Sequence, residues 1–172
     1  MRLLCILLLI GSLRANDCVP LTYQTLSGLM GAPVPYKEWV QKLVPDKRTA
    51  PTFFASIEAW NKRMPTAKLQ CIYVVSKGLD VIDCNVDFGM PYFWIGLIPD
   101  ELAARVPGNV NRDMVHAGIV IVTSEEDYII FHTVDQGVYH TERITAKEFF
   151  SRTYAVFRVN SKSPINLSLI HI

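Results

Sequence analysis

The chain has 172 residues, half of them hydrophobic, with 17 basic against 16 acidic side chains and a formal net charge of +1. That length suits one domain with a proper core, and a charge so close to zero lacks the basic field of a general nucleic-acid binder. Residues 1–15 read as a secretory signal: Arg2 is a minimal basic region, 3–10 is an apolar run too short to span a bilayer, and Leu13-Arg14-Ala15 is an acceptable cleavage site. Its removal takes Arg2 and Arg14 and leaves 15 basic against 16 acidic groups in residues 16–172, read as a single domain. No later stretch is long and apolar enough to predict a membrane span.

The elements are predicted in chain order. Asn16 or Asp17 caps a helix that begins at Cys18, with Pro20 in its first turn, where a missing N–H costs little. Leu21, Tyr23, Leu26, Leu29 and Met30 make that helix apolar on more than one face, which predicts burial, and Gly28 and Gly31 either end it or let it pack closely. Residues 32–35, rich in proline, are a break. Short helices follow over 36–43 and 51–63, the second with helical spacing at Phe54, Ile57 and Trp60. Strands are then predicted over 69–75, 79–84 and 92–98, the last with Tyr92, Phe93 and Trp94, an aromatic run more typical of core than of a substrate groove. Residues 99–106 suggest one short helix. Residues 115–123, 127–133 and 137–142 read as successive antiparallel strands. Thr145 caps a helix over 145–152, with Glu148 at the capping-box position, and 154–159 closes as a strand. Helices first and a sheet afterwards predict an α+β fold.

The cysteines narrow the chemistry. Cys5 leaves with the signal, so Cys18, Cys71 and Cys84 remain, and a secreted chain pairs its thiols. Cys71 and Cys84 flank a predicted hairpin around Ser76-Lys77-Gly78, and their pairing would leave Cys18 as the free thiol. Pairing of Cys18 with either one is the competing arrangement. A thiol attacks as thiolate, and the unpaired N–H groups and dipole at a helix start favour that anion. An imidazole can take the thiol proton and return it to a leaving amine. His116 lies in Val115-His116-Ala117-Gly118-Ile119-Val120, where Gly118 leaves room beside it, and His132 ends Ile129-Ile130-Phe131-His132 on the next strand. A hairpin through Ser124-Glu125-Glu126 can place both imidazoles on one face, one as base and the other holding the base's ring. A register slip of one residue would make Asp135 the better third residue. His140 and His171 read as surface residues. Cys18, His116 and His132 lack the close-spaced ligand pairs of a zinc module, so no metal is expected.

A cysteine opening a helix, a His-Ala-Gly-Ile-Val-Ile strand and then Ile-Ile-Phe-His together resemble the papain-like NlpC/P60-type peptidoglycan amidases. The segment from Asp17-Cys18 to Pro35 also resembles the amidase effectors of type VI secretion and their domesticated relatives in animals such as ticks and mites. The resemblance implies a papain-like fold, with a helical N-terminal half packed on an antiparallel sheet. It implies a secreted cysteine amidase or endopeptidase, periplasmic if the host is bacterial, that hydrolyses the peptide stems or crosslinks of bacterial peptidoglycan in an antibacterial role. On it Cys18 is the nucleophile, His116 the base and acid, and His132 the orienting residue, with no cofactor and a monomeric enzyme. Where the family often has Ser-Gly after the cysteine, this chain has Val19-Pro20. The rival class is a secreted, disulfide-stapled binding protein without catalysis, in which Cys18 is oxidised.

Overall fold

The computed structural model describes residues 18–43, 53–75, 86–103, 115–135, 138–161 and 165; the signal segment, the caps Asn16 and Asp17, the strand expected over 79–84, and Cys84 lie outside them. Three helices come first: α1 (Cys18–Leu29), α2 (Tyr36–Leu43) and α3 (Phe53–Arg63). Strand β1 (Ala67–Val74) follows, then β2 (Pro91–Leu97), the single turn α4 (Asp100–Ala103), β3 (Val115–Val122), β4 (Asp127–Asp135), β5 (Val138–Thr145), α5 (Ala146–Arg152) and β6 (Thr153–Ser161).

The six strands form one sheet in the order β1-β6-β2-β3-β4-β5, with every pairing antiparallel. β3 and β4 are joined by the short acidic turn, where Thr123 N and Ser124 N both donate to the Asp127 carbonyl. The sheet is covered on both faces. α1, α2 and α3 pack over one face against Phe93, Ile95, Val115, Ala117 and Ile119. α5 packs over the other through Phe149, against Trp94, Val120, Tyr128 and Ile130. A strand buried on both faces has no reason to alternate apolar and polar. That is why all eight residues of β3 are buried and why its sequence is almost continuously apolar.

α1 ends for a reason visible in its sequence. Gly31 takes a positive φ of 70°. Its N–H donates to the Gly28 carbonyl, and Ala32 N–H reaches back to the Ser27 carbonyl. This left-handed terminus satisfies carbonyls that the helix leaves open, and glycine adopts it without a Cβ clash. The Ser27 hydroxyl donates to the Gln24 carbonyl and accepts from Val34 N–H, which folds the proline-containing break back over the helix. Tyr23 then sits fully buried among Trp39, Trp60 and Phe93, with ring centroids 5.1, 4.8 and 5.2 Å away. Trp60 Nε1–H donates to the Ala67 carbonyl at 2.7 Å, and the Asn61 amide accepts from Leu69 N–H and donates to the Leu69 carbonyl. These bonds fix α3 to β1 and so set the helical layer against the sheet. Tyr92, Phe93 and Trp94 are all core. Among the described residues no helix is long and apolar enough to cross a membrane.

Candidate active site

Cys18 is the first residue of α1, half-buried, and packs against the helical core. Among the described residues neither Cys18 nor Cys71 is joined in a disulfide. The first turn of α1 holds no acidic side chain among the described residues. The Thr22 hydroxyl turns inward to the Cys18 carbonyl at 2.7 Å. Cys71 lies on β1, an edge strand, and burial pushes its thiol up, away from the reactive thiolate form.

The histidines are brought together by register. Gly118 of β3 faces His132 of β4, so His132 lies one diagonal step from His116 on the same side of the sheet. Their rings meet edge to face, 5.4 Å apart at 80°, and both residues are almost fully buried. Gly118 does not leave open space here, because a Cβ on it would lie 3.0 Å from His132 Cβ and 2.6 Å from the Phe131 carbonyl oxygen. The room that glycine provides is taken up by His132 and the edge of Trp94. His132 ring contact also extends to His140, 6.2 Å away on β5, which is half-buried and not a surface residue.

The hydrogen bond that holds His132 goes to a residue the sequence did not single out. His132 Nε2 and Glu142 Oε1 are 2.7 Å apart. The other carboxylate oxygen of Glu142 accepts from Arg152 at 3.0 Å. Burial alone would raise the Glu142 carboxyl, but the His132 hydrogen bond and the Arg152 guanidinium hold it below the usual carboxylate range. Glu142 is therefore an anion and acceptor only, so His132 Nε2 carries the proton between them. His132 Nδ1 is buried with no hydrogen-bond partner among the described residues. Glu142 was legible in principle: β4 and β5 pair His132 with His140 and Ile130 with Glu142, so both acidic and basic groups share one face. In the sequence, however, Val138–Thr145 is a polar strand with no motif to mark that residue. Asp135 ends β4, and its side chain lies outside the described set.

The two halves of the candidate site approach the sheet from different sides. Val115, Ala117 and Ile119 point to α1 and the helical layer, so alternation along β3 sends His116 and Gly118 to the face that α5 covers. Gly96, paired with His116, confirms the side: a Cβ there would lie 2.5 Å from the Arg152 carbonyl oxygen, at the end of α5. Cys18 packs in the helical layer. The sequence reading placed all three on one site without this distinction of faces. Among the described residues no group of three or more histidine, cysteine or acidic side chains has the arrangement to hold a metal ion.

No protein-family model matches the chain. No curated protein matches it. Among solved structures it is similar to the peptidase domain of Streptococcus ComA, a bi-functional ABC transporter involved in a quorum-sensing pathway. The two superpose with a TM-score of 0.54 at 16% identity, over 87% of this chain and 92% of that one. At that identity the likeness is one of fold. Helices packed on an antiparallel sheet in a papain-like peptidase fold, the architecture expected from the sequence, is the architecture of this protein.

Proposed function

We propose that this protein is a secreted cysteine hydrolase that cleaves amide bonds in the peptide stems or crosslinks of bacterial peptidoglycan, with an antibacterial role. The observation that carries the reading is the half-buried Cys18 thiol, outside any disulfide among the described residues, at the first turn of a buried helix in a papain-like peptidase fold. The peptidoglycan substrate rests on the resemblance of the cysteine and histidine segments to the NlpC/P60-type amidases.

In this mechanism the Cys18 thiolate attacks the amide carbonyl, and the oxyanion that forms is held by N–H groups at the start of α1. His116 accepts the thiol proton and delivers it to the departing amine as the tetrahedral intermediate collapses to a thioester. Water then attacks the thioester, giving up a proton to His116, and the carboxylate product leaves Cys18 as thiol or thiolate. His132 orients the His116 ring. His116 is the second residue of β3, so the thiol has to meet its ring around the end of that strand, not through the sheet.

A second reading is favoured by one observation, the placement of His116 on the α5 face. In it the fold is kept without catalysis, and the buried histidines belong to a structural network in a binding protein. One experiment separates the two. Mature protein is incubated with purified sacculi, products are read by mass spectrometry, and Cys18→Ala and His116→Ala are run beside it. The hydrolase reading expects new amine and carboxyl ends from wild type only. It also expects pH-dependent alkylation of Cys18 that changes in His116→Ala. Sacculi left intact by wild type would favour the non-catalytic reading, and sacculi cut equally by Cys18→Ala would remove Cys18 as the nucleophile.

A further inference from the structure

The proposed mechanism uses His116 and His132, but two more partly buried charged groups stand behind them. Glu142 comes from β5 and Arg152 from the last turn of α5. Both side chains are only 14% exposed, and the His132 side chain is not exposed at all. The chain of contacts is continuous: His116 against His132 at 5.4 Å, His132 to Glu142 at 2.7 Å, and Glu142 to Arg152 at 3.0 Å. Among the described residues, the other charged or titratable groups facing it are His140 on β5, 6.2 Å from His132, and Glu148 on α5, 3.7 Å from Arg152.

We propose that Glu142, itself fixed by Arg152, is the positioning residue of this site: it locks His132 as the Nε2–H tautomer and through the ring contact sets the pose of His116. The inference rests on the reading of His116 as the catalytic base. Its chemistry is one of donor and acceptor inventory. A carboxylate can only accept, so the proton on a neutral His132 must sit on Nε2, leaving a lone pair on Nδ1. Arg152 can only donate, so it claims the other carboxylate oxygen. Neither oxygen is free to accommodate the opposite tautomer. Without the carboxylate, His132 could rotate or exchange tautomers, and the edge it presents to His116 would change.

Glu142→Gln turns this into a measurement. The amide has one oxygen, and Arg152 requires it. The NH2 group then faces His132 and demands an acceptor at Nε2, which moves the proton to Nδ1. Long-range ¹H–¹⁵N correlation spectra of protein labelled at histidine report the tautomer directly. Wild type is expected to show His132 protonated at Nε2, and Glu142→Gln to show it protonated at Nδ1. On sacculi kcat is expected to fall by about tenfold or more with KM little changed, since only the pose of the base is lost. An unchanged Nε2–H tautomer in Glu142→Gln overturns the proposal, as does an inverted tautomer with unchanged kcat. If Glu142→Gln does not fold, Glu142→Leu combined with Arg152→Met leaves no buried unpaired charge and is read the same way, with mixed tautomers expected and a single Nε2–H form refuting it. Cys18→Ala as active as wild type overturns the hydrolase reading instead, and the spectra still report whether Glu142 sets the His132 tautomer.

Discussion

Gly118→Ala tests the packing that brings the two histidines together. In open space the change would stabilise a strand by about 0.4–1 kcal/mol, because alanine loses less freedom on folding. Here the added Cβ would lie 2.6 Å from the Phe131 carbonyl oxygen, 3.0 Å from His132 Cβ and 3.3 Å from Trp94 Cε3. The oxygen belongs to the neighbouring strand's backbone, and Gly118 pairs directly with His132, so neither can retreat without opening the β3–β4 ladder. Trp94 is fully buried and donates its Nε1–H to the Thr153 hydroxyl at 2.9 Å, so it cannot swing away cheaply either. Overpacking of this kind costs about 1–3 kcal/mol, which exceeds the entropic gain. For a domain of this size each kcal/mol moves Tm by about 2–4 °C, so a fall of roughly 2–12 °C is expected. Thermal unfolding followed by circular dichroism, at matched protein concentration, reads it. A Tm equal to or above wild type would mean that the methyl group has space, and that the His132 backbone is not held where the β3–β4 register places it.

Two further outcomes follow from local structure. The Asp127 carboxyl is held down to about 2 by its hydrogen bonds from the Arg143 guanidinium and the Thr123 hydroxyl. Because the folded value lies below the ordinary one, this contribution is present above the normal Asp range and is lost only as pH falls through about 2. Carbon-13 titration should find that midpoint, and Arg143→Ala should return it toward about 3.9; a midpoint unmoved by Arg143→Ala would remove the guanidinium as the cause. Thr145 accepts from Glu148 N–H at the start of α5, so Thr145→Ala should cost about 1 kcal/mol and lower Tm by a few degrees, whereas an unchanged Tm would show that α5 does not depend on its cap.

Most of the fold was legible because its punctuation is local. Pro20, Gly31 and the proline-containing break bound α1, and Thr145 with Glu148 marks α5, so these boundaries fall close to where the sequence puts them. The apolar run at Val115–Val122 announces a strand for the same reason. What that run cannot announce is which way its side chains point. In a half-covered strand, alternation of polar and apolar residues labels the two faces. β3 is buried on both, so Val115, Ala117 and Ile119 differ in no obvious way from Gly118 and Val120, and His116 can be assigned to a face only once α1 and α5 are in place. Glu142 escaped for the converse reason. It lies in a strand whose residues are mostly polar, and the partner that makes it matter, Arg152, is on another element.

The buried network is the strongest physical hint that the α5 face does more than hold the sheet together. Taking a carboxylate, a guanidinium and two imidazoles out of water is costly, and an ion pair recovers that cost only with good geometry and full hydrogen bonding. Apolar side chains of similar volume would fill the same space, as they do a few residues away where Tyr128 stacks on Phe149 with centroids 4.6 Å apart. Arg152 leaves Nε and Nη1 without partners among the described residues, so the network is not even optimal as a stabilising device. Its geometry instead favours orientation: one carboxylate fixes one tautomer of a ring that touches a second ring at the start of β3. Such an arrangement is useful to a base that must present one nitrogen to a thiol and is of little use to a core. In the proposed reaction that nitrogen is presented to the Cys18 thiol at the end of β3, where His116 is the second residue.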